Sequence, residues 1–146
     1  FEVSGSGVVA SYIHLGGKVG VLLEVGCEND ATPGTDGFRD LVKDLTLHIA
    51  ATAPAGLSAD DIPAELVENE KDIFRTQLAN EGKPAEMIEK IIPGKLGKFY
   101  SEKCLLEQGF VKDPDTTVGK LLEAKGKELG DTLTIRRFTR FGLGEA

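Results

Sequence analysis

Three side chains have the types that nucleophilic catalysis needs: Cys27, His14 and His48. An imidazole can take the proton of a thiol, and the thiolate then attacks a carbonyl. Their spacing carries no signature of such an enzyme, and Cys27 does not sit at a helix N-terminus that would favour the thiolate. A second candidate, the carboxylates Glu28, Asp30 and Asp36, lacks the spacing of a calcium loop. Cys27 and Cys104 are far apart and form neither a CxxC nor a zinc pattern, so no metal is expected and both read as reduced, buried thiols. No GxxxxGK followed by Ser or Thr occurs, and no GxGxxG, so no nucleotide or other cofactor is expected. Arg136-Arg137-Phe138-Thr139-Arg140-Phe141 interleaves cations with aromatics, as RNA-stacking surfaces do. It equally reads as a strand with one charged and one apolar face, able to pair with a second copy.

The elements that must position these residues follow from periodicity. Two β-rich runs, 8–15 and 18–26, flank Gly16-Gly17 and predict a hairpin with a type I′ turn, which needs positive φ at both central residues. In the second strand Val19, Val21, Leu23 and Val25 share one face, with Lys18, Gly20, Leu22 and Glu24 on the other. His14 lies late in the first strand, on the face of Tyr12 and Ala10. It is either a strand histidine without a role or a polar aromatic offered to a partner. A loop rich in Gly, Asn, Asp, Thr and Pro follows the second strand.

Phe38, Leu41, Val42, Leu45 and Ile49 then recur at helical spacing, with Asp36 as the expected N-cap and an end before Pro54. His48 on this helix reads as a packed or rim residue. Ser58 and Pro63 open a second helix with Leu66, Ile73, Phe74 and Leu78 as its buried stripe, stopped at Asn80 and Gly82. A third helix follows Pro84, carrying Met87, Ile88, Ile91 and Ile92, and Pro93-Gly94 is expected to break or kink it. A short extended piece follows at 108–111, and then a turn at Asp113-Pro114-Asp115. Thr117 caps a last helix with Val118, Leu121, Leu122 and Leu129, stopped by Gly130. Gly119 and Gly126 should weaken it by roughly 1 kcal/mol each relative to Ala. Residues 132–141 alternate as a third strand. The order of strand, strand, helices, strand predicts an α+β fold: a three-stranded antiparallel sheet with helices packed on it.

The chain has 146 residues, enough for one domain with an adequate core. Asp and Glu number 24 against 17 Lys and Arg, for a net charge of −7. That balance argues against nucleic acid as a partner, because such binding runs on counterion release by Lys and Arg. No apolar run approaches the roughly 20 residues that span a bilayer, so no membrane is expected either. No signal peptide is visible. Together with the thiols this points to the cytoplasm, or to an organellar stroma or matrix, and to a partner that is a protein or a small molecule.

The ordered segments SYIHLGGKVGVLLEV, FRDLVKDLTLHIAATAP, IPAELVENEKDIF, EGKPAEMIEKIIPGKLGKFYSEKCLLEQGFVKD, TVGKLL and IRRFTRFGLGE resemble the core, or dimerisation, domain of elongation factor Ts. The resemblance covers nearly the whole chain from about Gly7 onward. It implies a three-stranded antiparallel sheet with helices, and the role of guanine-nucleotide exchange factor for elongation factor Tu. The resemblance implies that the family's N-terminal helical domain is absent from this chain, in keeping with the start at Phe1. The single hairpin implies the short, single-copy form, which commonly dimerises. The implied mechanism is allosteric: the factor binds the GTPase more tightly without nucleotide, so by linkage it weakens the nucleotide. A 10⁴-fold shift would need roughly 5.5 kcal/mol of differential binding.

In this family a Glu-x-x-Cys-Glu-Thr-Asp-Phe-Val segment supplies a Phe that wedges between two GTPase helices. Here the segment maps onto residues 24–32, with Cys27, Glu28 and Asp30 retained, Asn29 in place of Thr and Ala31 in place of Phe. Phe38 matches a helix-face Phe of the family, and the alternative is that Thr35-Asp36-Gly37-Phe38 replaces the wedge. The resemblance also places His14 near the GTPase contact. The expected partner-binding residues are therefore His14, Asn29, Asp30, Ala31 and Phe38. Three functions compete: an exchange factor for elongation factor Tu, a binding or scaffolding module of the same fold with weak or lost exchange, and a thiol enzyme.

Overall fold

A computed structural model describes residues 4–145. The chain divides into two compact units, one formed by residues up to Ala53 together with Gly109 onward, the other by Pro54–Gln108. The first unit holds the sheet. Strands β1 (Ser6–His14), β2 (Val19–Cys27) and β5 (Thr134–Gly142) lie in the order β1-β2-β5, and both pairings are antiparallel. Helix α1 (Asp36–Thr52) lies against β1 and β2, and helix α4 (Val118–Leu129) against α1. A two-stranded ribbon, β3 (Gly109–Phe110) with β4 (Asp113–Thr117), precedes α4. The α+β architecture expected from the element order is thus present, with the ribbon added to it.

The period-2 pattern of β2 sorts as expected. Val19, Val21, Leu23 and Val25 are buried, and they meet the apolar stripe of α1 through Phe38, Leu41, Leu45 and Ile49, also buried. Such burial contributes roughly 1.5–3 kcal/mol per large aliphatic side chain. The opposite sheet face is open. There Ile13 and Phe141 flank Gly20 in one cross-strand row and are 66% and 74% exposed. A bulge in β5 between the pairs Val25–Ile135 and Glu24–Arg137 brings both Arg136 and Arg137 to the Glu24 carboxylate.

Several local expectations are corrected. The hairpin turn takes four residues, 15–18, rather than two, and Lys18 N–H closes it on the His14 carbonyl at 3.1 Å. Leu15, Gly16 and Gly17 all have positive φ, at 53°, 65° and 94°. The strand register is still the one a Gly16-Gly17 turn would set, because only the outermost pair has opened. The N-cap of α1 is Thr35, whose hydroxyl accepts from Phe38 N–H at 3.3 Å, so Asp36 becomes the first helical residue. Asp113-Pro114-Asp115 belongs to β4 and the turn lies earlier, at Val111-Lys112. Val111 N–H donates to Nδ1 of the buried His48 at 3.1 Å, and the His48 ring stacks on Phe110, which fixes the turn at that point. Pro114 is tolerated because a short edge strand has one side without ladder bonds.

The second unit is a helical hairpin. Ser58 and Asp61 form a capping box on a short 3-10 turn, and α2 (Ala64–Asn80) follows Pro63. Leu78 is buried, whereas Ile73, expected in the stripe, is exposed. Helix α3 (Ala85–Lys103) runs unbroken through Pro93, so of the expected break or kink the break does not occur. The cost of the lost N–H bond is met by packing on both sides of it: Ile88 and Ile92 with Leu78, and Phe99 with Ile62 and Cys104. Burial pushes the Cys104 thiol up to about 11, aided by a hydrogen bond with Glu107, so it is an inert core thiol. Leu105 N–H bonds the Gly56 carbonyl at 2.9 Å and ties the start of the unit to its end.

Pro93 is exposed in the middle of α3. Pro93→Ala is therefore expected to restore a backbone bond without opening a cavity and to stabilise this unit by up to about 3 kcal/mol. Urea unfolding followed by circular dichroism reads the change. A destabilised variant would show that the proline is required there.

Candidate functional site

The loop between β2 and α1 is held by one carboxylate. Asp131, just past α4, accepts hydrogen bonds from Glu28 N–H at 2.9 Å and Asn29 N–H at 3.1 Å. It also accepts from the Thr32 hydroxyl at 2.6 Å and from Thr132 N–H at 2.6 Å. Asn29 Nδ2 donates to the Gly130 carbonyl at 3.4 Å. These bonds satisfy the backbone donors that β2 leaves where its ladder stops. Thr32 is buried beneath the loop and starts a single 3-10 turn (Thr32–Gly34), and Thr35 turns the chain into α1.

Asp131 is placed by the way α4 ends. Gly130 adopts the left-handed conformation, its N–H bonds the Lys127 carbonyl, and Asp131 N–H bonds the Gly126 carbonyl at 2.8 Å. This is a Schellman ending. A Cβ on Gly126 would stand 2.6 Å from the Asp131 carbonyl oxygen, so only glycine lets the chain fold back this closely. The four donors, the Thr32 hydroxyl first among them, lower the Asp131 pKa from the ordinary 3.8 to about 2. Sequence reasoning missed Asp131 because its partners lie at the opposite end of the chain. The available signals were Gly126, costly in a helix interior, and the acid directly after the Gly130 stop.

The expected partner-binding residues separate into three places. Asn29, Asp30 and Ala31 are exposed side by side at the head of the loop, and Ser6 Oγ donates to the Asp30 carboxylate. Phe38 is 1% exposed and anchors α1, so it faces the core and is not presented by the loop. His14 lies at the other end of the hairpin, paired with Val19, while Ser6 pairs with Cys27 beside the loop. Eight residue steps along β1 separate the two ends, roughly 26 Å at about 3.3 Å per step. The Tyr12 hydroxyl and His14 Nδ1 are 2.5 Å apart, which orients the half-buried imidazole.

The same distance removes His14 as a base for Cys27. The Cys27 thiol is buried, bonds the Asn29 carbonyl at 3.4 Å, and has its pKa raised by burial and then by the Asp131 charge. The arginine run is largely neutralised within the chain. Arg136 and Arg137 pair with Glu24, lowering its pKa, and Arg140 pairs with Glu145 and with the Ala50 carbonyl. Among the described residues no three His, Cys, Asp or Glu side chains gather to hold a metal ion.

Two outcomes test this construction. Gly126→Ala, which should favour an isolated helix by about 1 kcal/mol, is expected instead to destabilise the protein by about 1–3 kcal/mol through the clash with residue 131; urea unfolding measures the sign. The lowered pKa means that the Asp131 contribution is fully present above the ordinary value of 3.8 and is lost as pH falls through about 2. A carboxyl-carbon NMR titration should place the Asp131 midpoint near 2, and a midpoint near 4 would show that the bonds do not hold in solution.

Comparison with known proteins identifies the family of the chain. The family model described as Elongation factor TS matches residues 1–145. Elongation factor Ts of Geobacter sulfurreducens is 51% identical over 139 residues, covering 95% of this chain and 64% of the relative. Elongation factor Ts of Desulfosudis oleivorans is 47% identical over 139 residues, covering 95% and 70%. That of Moorella thermoacetica is 49% identical over 144 residues, covering 99% and 71%. The chain thus spans about two thirds of the length of these curated relatives. With a family model over almost every residue and relatives near half identity, this chain belongs to the elongation factor Ts family.

Proposed function

We propose that the protein is a guanine-nucleotide exchange factor that binds elongation factor Tu in the cytoplasm and speeds GDP release, with no covalent step. The observation that carries this reading is the pre-set loop in a chain of this family. Asn29, Asp30 and Ala31 are exposed at the end of a core strand, on a backbone already fixed by Asp131. A loop ordered before binding loses less conformational entropy on docking, and more of its contact energy can then oppose nucleotide binding. His14 is a second contact, at the far end of the hairpin, and Phe38 supports the loop from the core side.

Ala31 favours a second reading. An exposed methyl offers little area to insert between partner helices. The protein would then bind elongation factor Tu and accelerate release weakly or not at all. Stopped-flow release of fluorescent GDP from elongation factor Tu at saturating protein separates the two. Acceleration supports exchange, complex formation without it supports the binding module, and a failure to bind overturns both. Ala31→Phe is expected to raise the release rate by about tenfold or more, which corresponds to about 1.4 kcal/mol of added differential binding. No change would remove the wedge argument.

The outer sheet face is the proposed site of a homodimer. Val9, Ile13, Leu22 and Phe141 are exposed apolar side chains on a surface with few charges at its centre. The paired double variant Ile13→Glu with Phe141→Glu is expected to shift sedimentation from dimer to monomer. A wild-type protein that stays monomeric at about 100 μM, far above the Kd of a specific dimer, would count against the dimer.

A further inference from the structure

The geometry points to the groove between β1 and α1 as a docking site for an extended peptide segment that adds a strand to β1 and sets an acidic side chain against Arg39 and Lys43. The inference rests on the sheet edge and the groove, and is independent of the exchange reading. Strand β1 pairs only with β2, so among the described residues its other edge is unpaired. Every second residue there turns its N–H and C=O outward, which is a template for another strand. Beside that edge lies a groove of about 580 Å³ with a floor of Val8, Ala10, Tyr12, Phe38 and Val42. Ser11 also lines it, although its side chain belongs to the opposite alternation, so the groove reaches the backbone edge itself.

The rim fixes the chemistry of the occupant. Arg39 and Lys43 stand one helical turn apart on α1, both exposed and both lining the groove. Every other arginine is committed: Arg75 pairs with Asp72 and Glu89, Arg136 and Arg137 with Glu24, and Arg140 with Glu145. Among the described residues neither Arg39 nor Lys43 makes an ion pair. In a chain of net charge −7, two uncommitted cations beside an apolar groove select against a basic segment and for an acidic one. On the side of the added strand facing α1, apolar residues would fill the groove and an acidic residue two positions away would reach Arg39, which can bind a carboxylate with two parallel bonds.

The test uses the ¹⁵N-labelled protein and a capped heptapeptide with Val, Glu and Val on one face and Thr at the other positions. Amide shifts are expected in β1 around Val8 and Tyr12 and in α1 from Phe38 to Thr46. N-methylation of one alternate set of peptide amides should abolish binding, and methylation of the other set should leave it. The peptide with Lys in place of Glu should bind at least about tenfold more weakly, and Arg39→Glu should reverse that preference. The proposal is overturned by the absence of shifts at millimolar peptide, by shifts confined to β5 or the outer face, by equal tolerance of both methylated sets, or by equal binding of the Glu and Lys peptides.

Discussion

The carboxylate of Asp131 joins the end of α4 to the beginning of the loop that leaves β2, and the rest of the candidate site depends on that junction. Glu28 and Asn29 carry backbone donors beyond the last ladder bond of β2, and the buried Thr32 hydroxyl needs an acceptor. One ionised side chain meets all three, along with Thr132 N–H. Its position is inherited from the helix before it, through the left-handed Gly130 and the side-chain-free approach at Gly126. The exposed Asn29-Asp30-Ala31 segment therefore takes its shape as much from a helix ending near the C-terminus as from its own side chains.

The sheet separates the tasks of its two faces. The α1 side carries the core and, at the β1 edge, the groove with its two uncommitted cations. The outer side keeps Ile13 and Phe141 exposed around Gly20, while Glu24 gathers Arg136 and Arg137 at the far end. The three arginines of β5 are thus paired within the chain. The apolar sheet face, the edge strand and the fixed loop are surfaces of the kind that suit a protein partner.

What could be read from the sequence follows the range of the interactions involved. The core face of β2 and the stripe of α1 are local periodicities, and they are where Val19 to Val25 and Phe38 to Ile49 said they would be. The hairpin register was readable for the same reason, even though the turn opened by one pair. At Pro93 local propensity points to a break, and the buried residues on both sides of it outweigh that local term. Pro114 reads as a turn residue because proline marks turns more often than edge strands, whereas the contact that fixes the turn, Val111 on His48, spans distant sequence. Asn29, Asp30 and Ala31 are the candidates that the family resemblance offers, and the structure exposes them at the head of the loop. Phe38 was assigned to the contact but belongs to the core, and Asp131 was invisible because no motif announces an acid that works across the whole unit.

Amide hydrogen exchange at Glu28 and Asn29 in the free protein tests the central claim most directly, with Asp131→Ala as the comparison. The account predicts slow exchange of both amides in the wild-type protein at neutral pH, and fast exchange in the variant while the β2 amides stay protected. Fast exchange at both positions in the wild-type protein would contradict it, because the loop would then not be fixed before any partner arrives.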